Sequence, residues 1–149
     1  MLVTDATKLA RRLMDEAGLT TWKVNLDNAR RRFGQCRHGS KTISLSRPLI
    51  MANDEAQVKD TILHEIAHAL VGAGHGHNKV WKRQAAALGA NPNTYYGDEV
   101  TAVTPMYVGT CPTCKRTISR HRRHDLACGK CSGTEYNPTH KFIWHKADN

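Results

Sequence analysis

TILHEIAHALVGAGHGHNKVW, residues 61–81, is the stretch from which the fold of this chain can be worked out. It contains His64-Glu65-Ile66-Ala67-His68, an H-E-x-x-H pattern typical of zinc hydrolases. Residues four apart share one face of an α-helix, so His64 and His68 can present two imidazoles to one zinc ion. Glu65 lies about 100° further round the helix axis, because a helix has 3.6 residues per turn. From there its carboxylate can reach a water held on the metal and act as a general base.

A helix buried on most sides is predicted around this pattern, because apolar residues cover much of its surface. These residues are Val58, Ile62, Leu63, Ile66, Ala67, Ala69 and Leu70. Asn53 or Asp54 can cap its start, and Asp54 followed by Gln57 resembles a capping box. Gly72 and Gly74 are expected to end the helix.

A catalytic zinc site needs a third protein ligand and one open position. Residues 74–81 read GHGHNKVW, and their glycines allow the chain to turn sharply and bring His75 or His77 back toward the helix. Gly74 stands where the metzincin pattern H-E-x-x-H-x-x-G-x-x-H has its third histidine, which excludes that family. Glu99 is a rival third ligand, because gluzincins use a glutamate downstream of H-E-x-x-H.

One helix and three strands are predicted before the metal helix. The helix is amphipathic, is expected to be capped near Thr4 and ends at Gly18. Its inward residues are Leu9, Leu13, Met14 and Ala17. Alternating and β-rich segments predict strands at residues 22–26, 33–38 and 41–46, the last closed by Pro48. We expect Thr42–Ser46 to be the sheet edge near the metal that binds an extended peptide by strand addition.

A second helix is expected after the metal helix, capped by Asn78 or His77 and ended by Gly89. The residues on its buried face are Trp81, Ala85 and Leu88. The order of elements predicts a small α+β domain, with helices packed on a short antiparallel or mixed sheet. Tyr95 and Tyr96 follow; either can donate a hydrogen bond to an oxyanion at the zinc, although packing is the commoner role of such residues.

These features resemble the SprT-like (Spartan-type) family of zinc metalloproteases. The family carries H-E-x-x-H, a variable loop and a third zinc-binding histidine four residues before an aromatic. Residues 77–81, HNKVW, match this pattern, with Asn78 where glycine is usual. The resemblance implies a zincin-type domain in which Glu65 is the catalytic base. The ligands it implies for the catalytic zinc are His64, His68 and His77. His75 remains the alternative to His77, because Gly74-His75-Gly76 imitates the family's G-H-G triplet.

Two C-x-x-C pairs predict a second, structural zinc site. The four cysteines are Cys111, Cys114, Cys128 and Cys131, with 13 residues between the pairs. Four thiolates at this spacing close a tetrahedral zinc site as in zinc ribbons, and short strands are expected at residues 107–108, 117–119 and 142–144. Without a secretory signal, metal is favoured over disulfides. The remaining cysteine, Cys36, fits a small core residue.

Bacterial SprT-like proteins often carry such a ribbon after the protease domain, so the resemblance extends over roughly residues 4–146. The sequence therefore predicts two domains. Residues 1–103 form the SprT-like metalloprotease domain, and residues 104–149 form a basic zinc ribbon with four cysteine ligands. One catalytic and one structural zinc ion are the expected cofactors.

The chain's formal charge of +9 and its pI of about 9.6 point to an anionic partner. Residues 104–149 hold eight lysines and arginines against three acids, a surplus of five. This exceeds the charge of about −2 that a zinc site with four cysteine ligands carries. The candidate nucleic-acid-binding residues are Lys115, Arg116, Arg120, Arg122, Arg123 and Lys130. Tyr107 and Trp144 are candidates for base stacking. Composition indicates only a polyanion, and the choice of DNA over RNA is implied by the resemblance.

Sequence and resemblance together predict a DNA-associated zinc endopeptidase that cleaves proteins bound or crosslinked to DNA, the activity of DNA–protein crosslink repair. Its expected partners are single-stranded or junction-containing DNA and the proteins attached to it. We expect a cytoplasmic, nucleoid-associated monomer, since the chain has neither a signal-peptide pattern nor an apolar run near the ~20 residues of a membrane span. The alternatives are a non-proteolytic zinc-ribbon protein that binds nucleic acid and a minigluzincin-like peptidase indifferent to DNA.

Overall fold

The computed structural model describes residues 1–93 and 100–147. Its contacts divide the chain into two compact units, Met1–Val103 (the first unit) and Thr104–Asn149 (the second unit). The predicted α+β class is confirmed, with a four-cysteine cluster in the C-terminal part of the chain. No helix among the described residues is long and apolar enough to cross a membrane.

The first unit is a three-stranded mixed sheet with four helices among its described residues. In chain order its elements are α1 Val3–Glu16, β1 Lys23–Asp27, β2 Gly34–Arg37, β3 Thr42–Ser46, α2 Arg47–Ala52, α3 Glu55–Val71 and α4 Lys79–Ala87. The strand order is β1-β3-β2, with β1 parallel and β2 antiparallel to β3. Helix α3 packs against α1, α4 and β2, so it lies at the centre of this unit.

Strand β3 is the middle strand, so the prediction that Thr42–Ser46 forms a sheet edge was wrong. Ile43 faces Val24 of β1 on one side and Cys36 of β2 on the other, and four of the five β3 residues are buried. Among the described strands, β1 and β2 form the edges of the sheet, and β2 is the one that packs on α3. Strand order depends on pairing between distant segments, which the order of strands in the sequence does not determine.

Helix α1 begins without the side-chain cap expected near Thr4. Its N-cap is Leu2, which offers no side-chain hydrogen bond, so this part of the prediction was wrong. The buried residues of α1 are Ala6, Leu9, Ala10 and Met14. Leu13 and Ala17 are only partly buried against the same core. Packing of this apolar face supplies the stability that a capping side chain would otherwise add.

Helix α2 is an element that the sequence patterns do not predict. Pro48 does not simply close a strand, because it occupies the first turn of α2, where proline is well tolerated. The Ser46 hydroxyl caps the helix by accepting a hydrogen bond from the Leu49 N–H at 3.2 Å. The signal is present as a Ser-x-Pro sequence, but the six residues of α2 are too short to show a helical period.

The predicted N-terminal caps of α3 and α4 are both confirmed, each for one of the two residues that the sequence offered. Asp54 caps α3 by accepting a hydrogen bond from the Gln57 N–H at 2.9 Å, and the helix ends at Gly72 with φ of +85°. Asn78, rather than His77, caps α4, because its side-chain oxygen accepts hydrogen bonds from the first-turn N–H groups. The side chain of His77 therefore has no capping role.

The second unit is a three-stranded antiparallel sheet with two short helical turns. Its elements are β4 Tyr107–Thr110, β5 Thr117–Arg120, α5 Gly129–Ser132, a 3-10 turn Pro138–His140 and β6 Ile143–Lys146. The strand order is β5-β4-β6. Its small core consists of Cys111, Cys128 and Phe142, with the partly buried Trp144 against it. A Cβ on Gly109 would lie 2.9 Å from the Trp144 ring, so that tryptophan packs directly on the sheet.

Candidate metal centres

Three histidines of the first unit converge on one point. His64 and His68 lie one turn apart on α3, and His77 lies just before α4. The Nε2 atom of His77 is 3.0 Å from Nε2 of His64 and 3.1 Å from Nε2 of His68. The three form one of two groups among the described residues that are able to hold a metal ion.

This arrangement fits a zinc ion. Zn–N bonds of about 2.0–2.1 Å in a tetrahedron place ligand nitrogens roughly 3.3–3.4 Å apart, close to the observed separations. Burial, followed by the neighbouring imidazoles, lowers the pKa of His64 to about 3 and that of His68 to about 4. Burial also lowers the pKa of His77. Neutral imidazoles offer the lone pairs that a metal needs. Three protein ligands leave one position open, as in catalytic zinc sites.

Trp81 forms the floor beneath the three imidazoles. Its side chain is fully buried, and its ring centroid lies 4.5 Å from that of His64, 5.1 Å from that of His68 and 4.5 Å from that of His77. The spacing of His77 and Trp81 places the aromatic in the first turn of α4, directly behind the histidine. Rigid aromatic packing on all three rings restricts their rotamers and so fixes the geometry of the site.

Glu65 lies beside the histidines and is almost entirely buried, with 6% of its surface exposed. Burial raises its pKa to about 7, although the Cys36 backbone N–H and the Arg32 guanidinium both favour the ionised form. Arg32 is itself held by Asp27, with nitrogen and oxygen 2.7 Å apart. A carboxyl group with a pKa near 7 can both accept and release a proton close to neutral pH, as a general base must.

The pocket over the histidines has a volume of about 520 Å³, and β2 forms one wall of it. The residues of this wall that approach α3 are Gly34, Cys36 and His38. His38 donates a hydrogen bond from Nε2 to the His68 carbonyl oxygen at 2.9 Å, which ties the β2–β3 turn to the end of α3. Burial, and then the nearby Glu65, raises the pKa of the Cys36 thiol to about 12. Cys36 is half-buried in the pocket wall rather than in the core.

Sequence reasoning assigned no role in the site to Gly34, Cys36 and His38. Their spacing of two residues places them on one face of a strand, which is a signal present in the sequence. That signal does not reveal which face meets the metal helix. The same limit applies to Arg31 and Arg32, which line the pocket just before β2.

The remaining candidates for the first site fall outside the histidine cluster. His75 is not part of it, and its Nδ1 instead lies 3.3 Å from the Asn78 side-chain nitrogen. Glu99, Tyr95 and Tyr96 lie outside the described residues. Their suggested roles as ligand, oxyanion donors or packing residues therefore stay predictions.

The second candidate centre consists of the four cysteines of the second unit. The Sγ atoms of Cys111 and Cys131 are 3.9 Å apart, and those of Cys114 and Cys128 are 3.7 Å apart. Zn–S bonds of about 2.3 Å in a tetrahedron place sulfurs roughly 3.8 Å apart, so the spacing fits a zinc ion held by four thiolates. Burial raises the pKa of Cys111, but hydrogen bonds from the N–H groups of Cys114 and Thr113, together with those to the Cys114 and Cys128 side chains, give a net lowering of it. All four positions of such a site come from protein, which is typical of structural zinc.

The six basic residues singled out for nucleic-acid binding are all exposed. They are Lys115, Arg116, Arg120, Arg122, Arg123 and Lys130. Within the described part of the chain none of them pairs with a carboxylate. The guanidinium of Arg123 lies over the Tyr107 ring, 5.6 Å from its centroid, in a cation–π contact. Trp144, by contrast, packs on Gly109 and donates its ring N–H to the His124 carbonyl, which limits its use for base stacking.

Comparison with known proteins places the chain in a family. The profile of the SprT-like family matches residues 4–102, which is more than half of the chain, and the resemblance drawn from the motifs is confirmed. No curated protein matches the chain. The matched residues contain the three histidines, Glu65 and all of the pocket wall.

Proposed function

The chain belongs to the SprT-like family, and from this premise we propose that it is a zinc endopeptidase that cleaves proteins bound or crosslinked to DNA. The family is associated with metallopeptidase activity, which supports the hydrolytic part of the proposal. The basic second unit supports the DNA part. Action on DNA–protein crosslinks, and the nucleoid association that follows from it, belong to the proposal alone.

The observation that carries the proposal is the convergence of three neutral imidazoles beside a buried carboxyl group in an open pocket. His64, His68 and His77 would hold the zinc ion. When bound, zinc lowers the pKa of water and polarises the carbonyl of the bond to be cut. Glu65 accepts the proton of the attacking water and then passes it to the leaving amine. The tryptophan floor keeps the imidazoles oriented during these steps.

The substrate peptide is proposed to bind along β2. This strand is at the edge of the sheet as far as the described residues go, and it lines the same pocket as Glu65 and the histidines. An extended peptide can add to such an edge through backbone hydrogen bonds, which requires little of the substrate's sequence. A protease that recognises backbone needs another source of selectivity. Attachment of the enzyme and its substrate to the same DNA provides one, through effective concentration.

The second unit is proposed to bind DNA through its exposed cations. Arginines that have no carboxylate partner among the described residues are available to phosphates, and the Arg123–Tyr107 pair adds a surface on which a base can stack. Single-stranded or junction-containing DNA is favoured, because stacking needs bases that are not already paired.

The test uses a protein covalently linked to single-stranded DNA as substrate for the wild type and for Glu65→Gln. The wild type is expected to cut the linked protein and to leave the same protein without DNA largely intact. Glu65→Gln is expected to lower kcat by about 10²–10⁴-fold, the usual contribution of a general base. Zinc content and DNA affinity of Glu65→Gln should equal those of the wild type, because Glu65 is neither a proposed ligand nor in the second unit.

Two other results would point to the alternative functions. Equal cleavage with and without DNA would indicate a peptidase indifferent to DNA. DNA binding without any cleavage by the zinc-loaded wild type would indicate a nucleic-acid-binding protein whose histidine site is not catalytic.

A further inference from the structure

Gly34 of β2 lies closer to Glu65 than a residue with a side chain could. A Cβ at this position would stand 2.7 Å from both Cγ and Oε1 of Glu65, and 3.0 Å from its Cδ. Ordinary contacts between carbon atoms are about 3.5–4.0 Å. Glu65 has little room to yield, because it is buried and because its backbone belongs to the central part of α3.

The backbone conformation at residue 34 does not require a glycine. Gly34 is not among the glycines with positive φ, and it sits in a regular antiparallel pairing opposite Leu45. An alanine would fit the backbone of this strand without strain. What glycine provides here is therefore space, because it has no side chain. The Glu65 side chain occupies that space.

We propose that Gly34 is a positioning residue, which leaves the room in which the Glu65 carboxylate rests against the edge strand. Cys36, two residues along the same strand, lines the same pocket as Glu65. Strand β2 thus borders the proposed base, and Gly34 is the position at which it leaves room for the Glu65 side chain. The inference rests on the proposed function, since it assigns Gly34 to the placement of the proposed general base.

Gly34→Ala in the full chain tests the inference, with Gly39→Ala as its matched control. Gly39 follows β2, has no positive φ, and a Cβ there would meet nothing within 4 Å. Gly34→Ala is expected to lower kcat by about 10²-fold with KM and zinc content nearly unchanged, as misplacing a catalytic group by about 1 Å does. Gly39→Ala should match the wild type in all three. A kcat for Gly34→Ala within twofold of the control would overturn the inference.

A double-mutant cycle on stability separates this role from a general effect on the strand. Glu65→Ala removes Cγ and the carboxyl group, which are the atoms that a Cβ at residue 34 would meet. If the two residues compete for one space, Gly34→Ala lowers the urea unfolding midpoint far less in the Glu65→Ala background than in the wild type. Equal losses in both backgrounds would show that Gly34 acts independently of Glu65, and the inference would be wrong.

Two measurements do not depend on activity. A crystal structure of Gly34→Ala should show the Glu65 carboxylate moved by about 1 Å from its wild-type position, because a Cβ at 2.7 Å is about 1 Å short of an ordinary carbon contact; an unmoved carboxylate would contradict the inference. If Gly34→Ala does not fold, adding Glu65→Ala must restore folding, because it empties the contested space. Failure to restore it would also contradict the inference. An inactive wild type would refute the proposed function alone, since both measurements could still be made.

Discussion

The two candidate metal centres differ in what the surrounding protein would be without an ion. The histidine centre stands on α3 in a large apolar core that includes Ile62, Ile66 and Trp81. The cysteine centre has almost no core besides itself: Cys111, Cys128 and Phe142 are its only buried hydrophobic residues among those described. The first centre has three protein donors and a pocket, whereas the second has four donors. We therefore expect the first unit to stay folded without its ion and the second unit to unfold when its ion is lost.

The largest expected effect on stability comes from removing a ligand of the cysteine centre. Cys128→Ser removes a fully buried ligand, and the second unit should lose its fold, because structural zinc contributes about 10–16 kcal/mol in zinc-finger peptides. Zinc content should fall from two ions per chain to one, and backbone amide NMR signals of the second unit should collapse while those of the first remain. A folded second unit in this variant would contradict the comparison.

The second-largest expected effect comes from removing a histidine of the first centre, which should leave the first unit folded. His77→Ala removes one of the three proposed ligands, so the affinity of the histidine centre for zinc should fall by more than the roughly 10–100-fold that is lost when a ligand's hydrogen-bond partner is removed. Its unfolding midpoint without metal should stay close to the wild-type value, since His77 is only half-buried. His75→Ala is the matched control and should keep both the ion and the activity. The reverse pattern would make His75 the third ligand.

Acid should weaken the metal-free first unit. The folded-state pKa values of His64 and His68, about 3 and 4, lie below the ordinary 6.5. The unfolded chain therefore binds more protons, so stability falls as pH decreases from 6.5 toward 4. Glu65 acts in the opposite sense, because its raised folded-state pKa of about 7 adds stability as pH falls from 7 to its ordinary 4.5.

Urea unfolding of the metal-free protein at pH 7.5 and pH 5 measures this acid effect. We expect a lower midpoint at pH 5, and a larger drop in Glu65→Gln, where the opposing contribution is gone. A drop in Glu65→Gln no larger than that of the wild type would contradict the opposing role of the carboxyl group.

The smallest effect concerns the surface charge of the second unit. Replacing Arg120, Arg122 and Arg123 with glutamine should weaken single-stranded DNA binding. It should also reduce the salt dependence of log K by about 0.7 for each lost phosphate contact. The control is a triple glutamine variant of the first unit with the same change of charge. It replaces the exposed residues Lys8, Arg12 and Lys59. Equal losses in both triple variants would show that net charge, rather than this surface, controls binding.

Much of the candidate chemistry could be predicted because its signals are local. The H-E-x-x-H spacing puts two ligands on one helix face, Asp54 and Asn78 are caps whose bonds span two or three residues, and paired C-x-x-C segments converge through short turns. The choice of His77 came from resemblance to a family pattern rather than from any rule of geometry.

The sequence by itself determined which residues are candidates for the chemistry, because the histidine pair, Glu65, the cysteines and the basic surplus are all recognised from residue type and short spacing. Only the tertiary structure decided where β2 lies, that β3 is paired on both sides, and that Gly34 lies against the Glu65 side chain. The reason is physical. Helix periods and caps are set by neighbours within about four residues, whereas strand order and close packing depend on contacts between segments far apart in the chain.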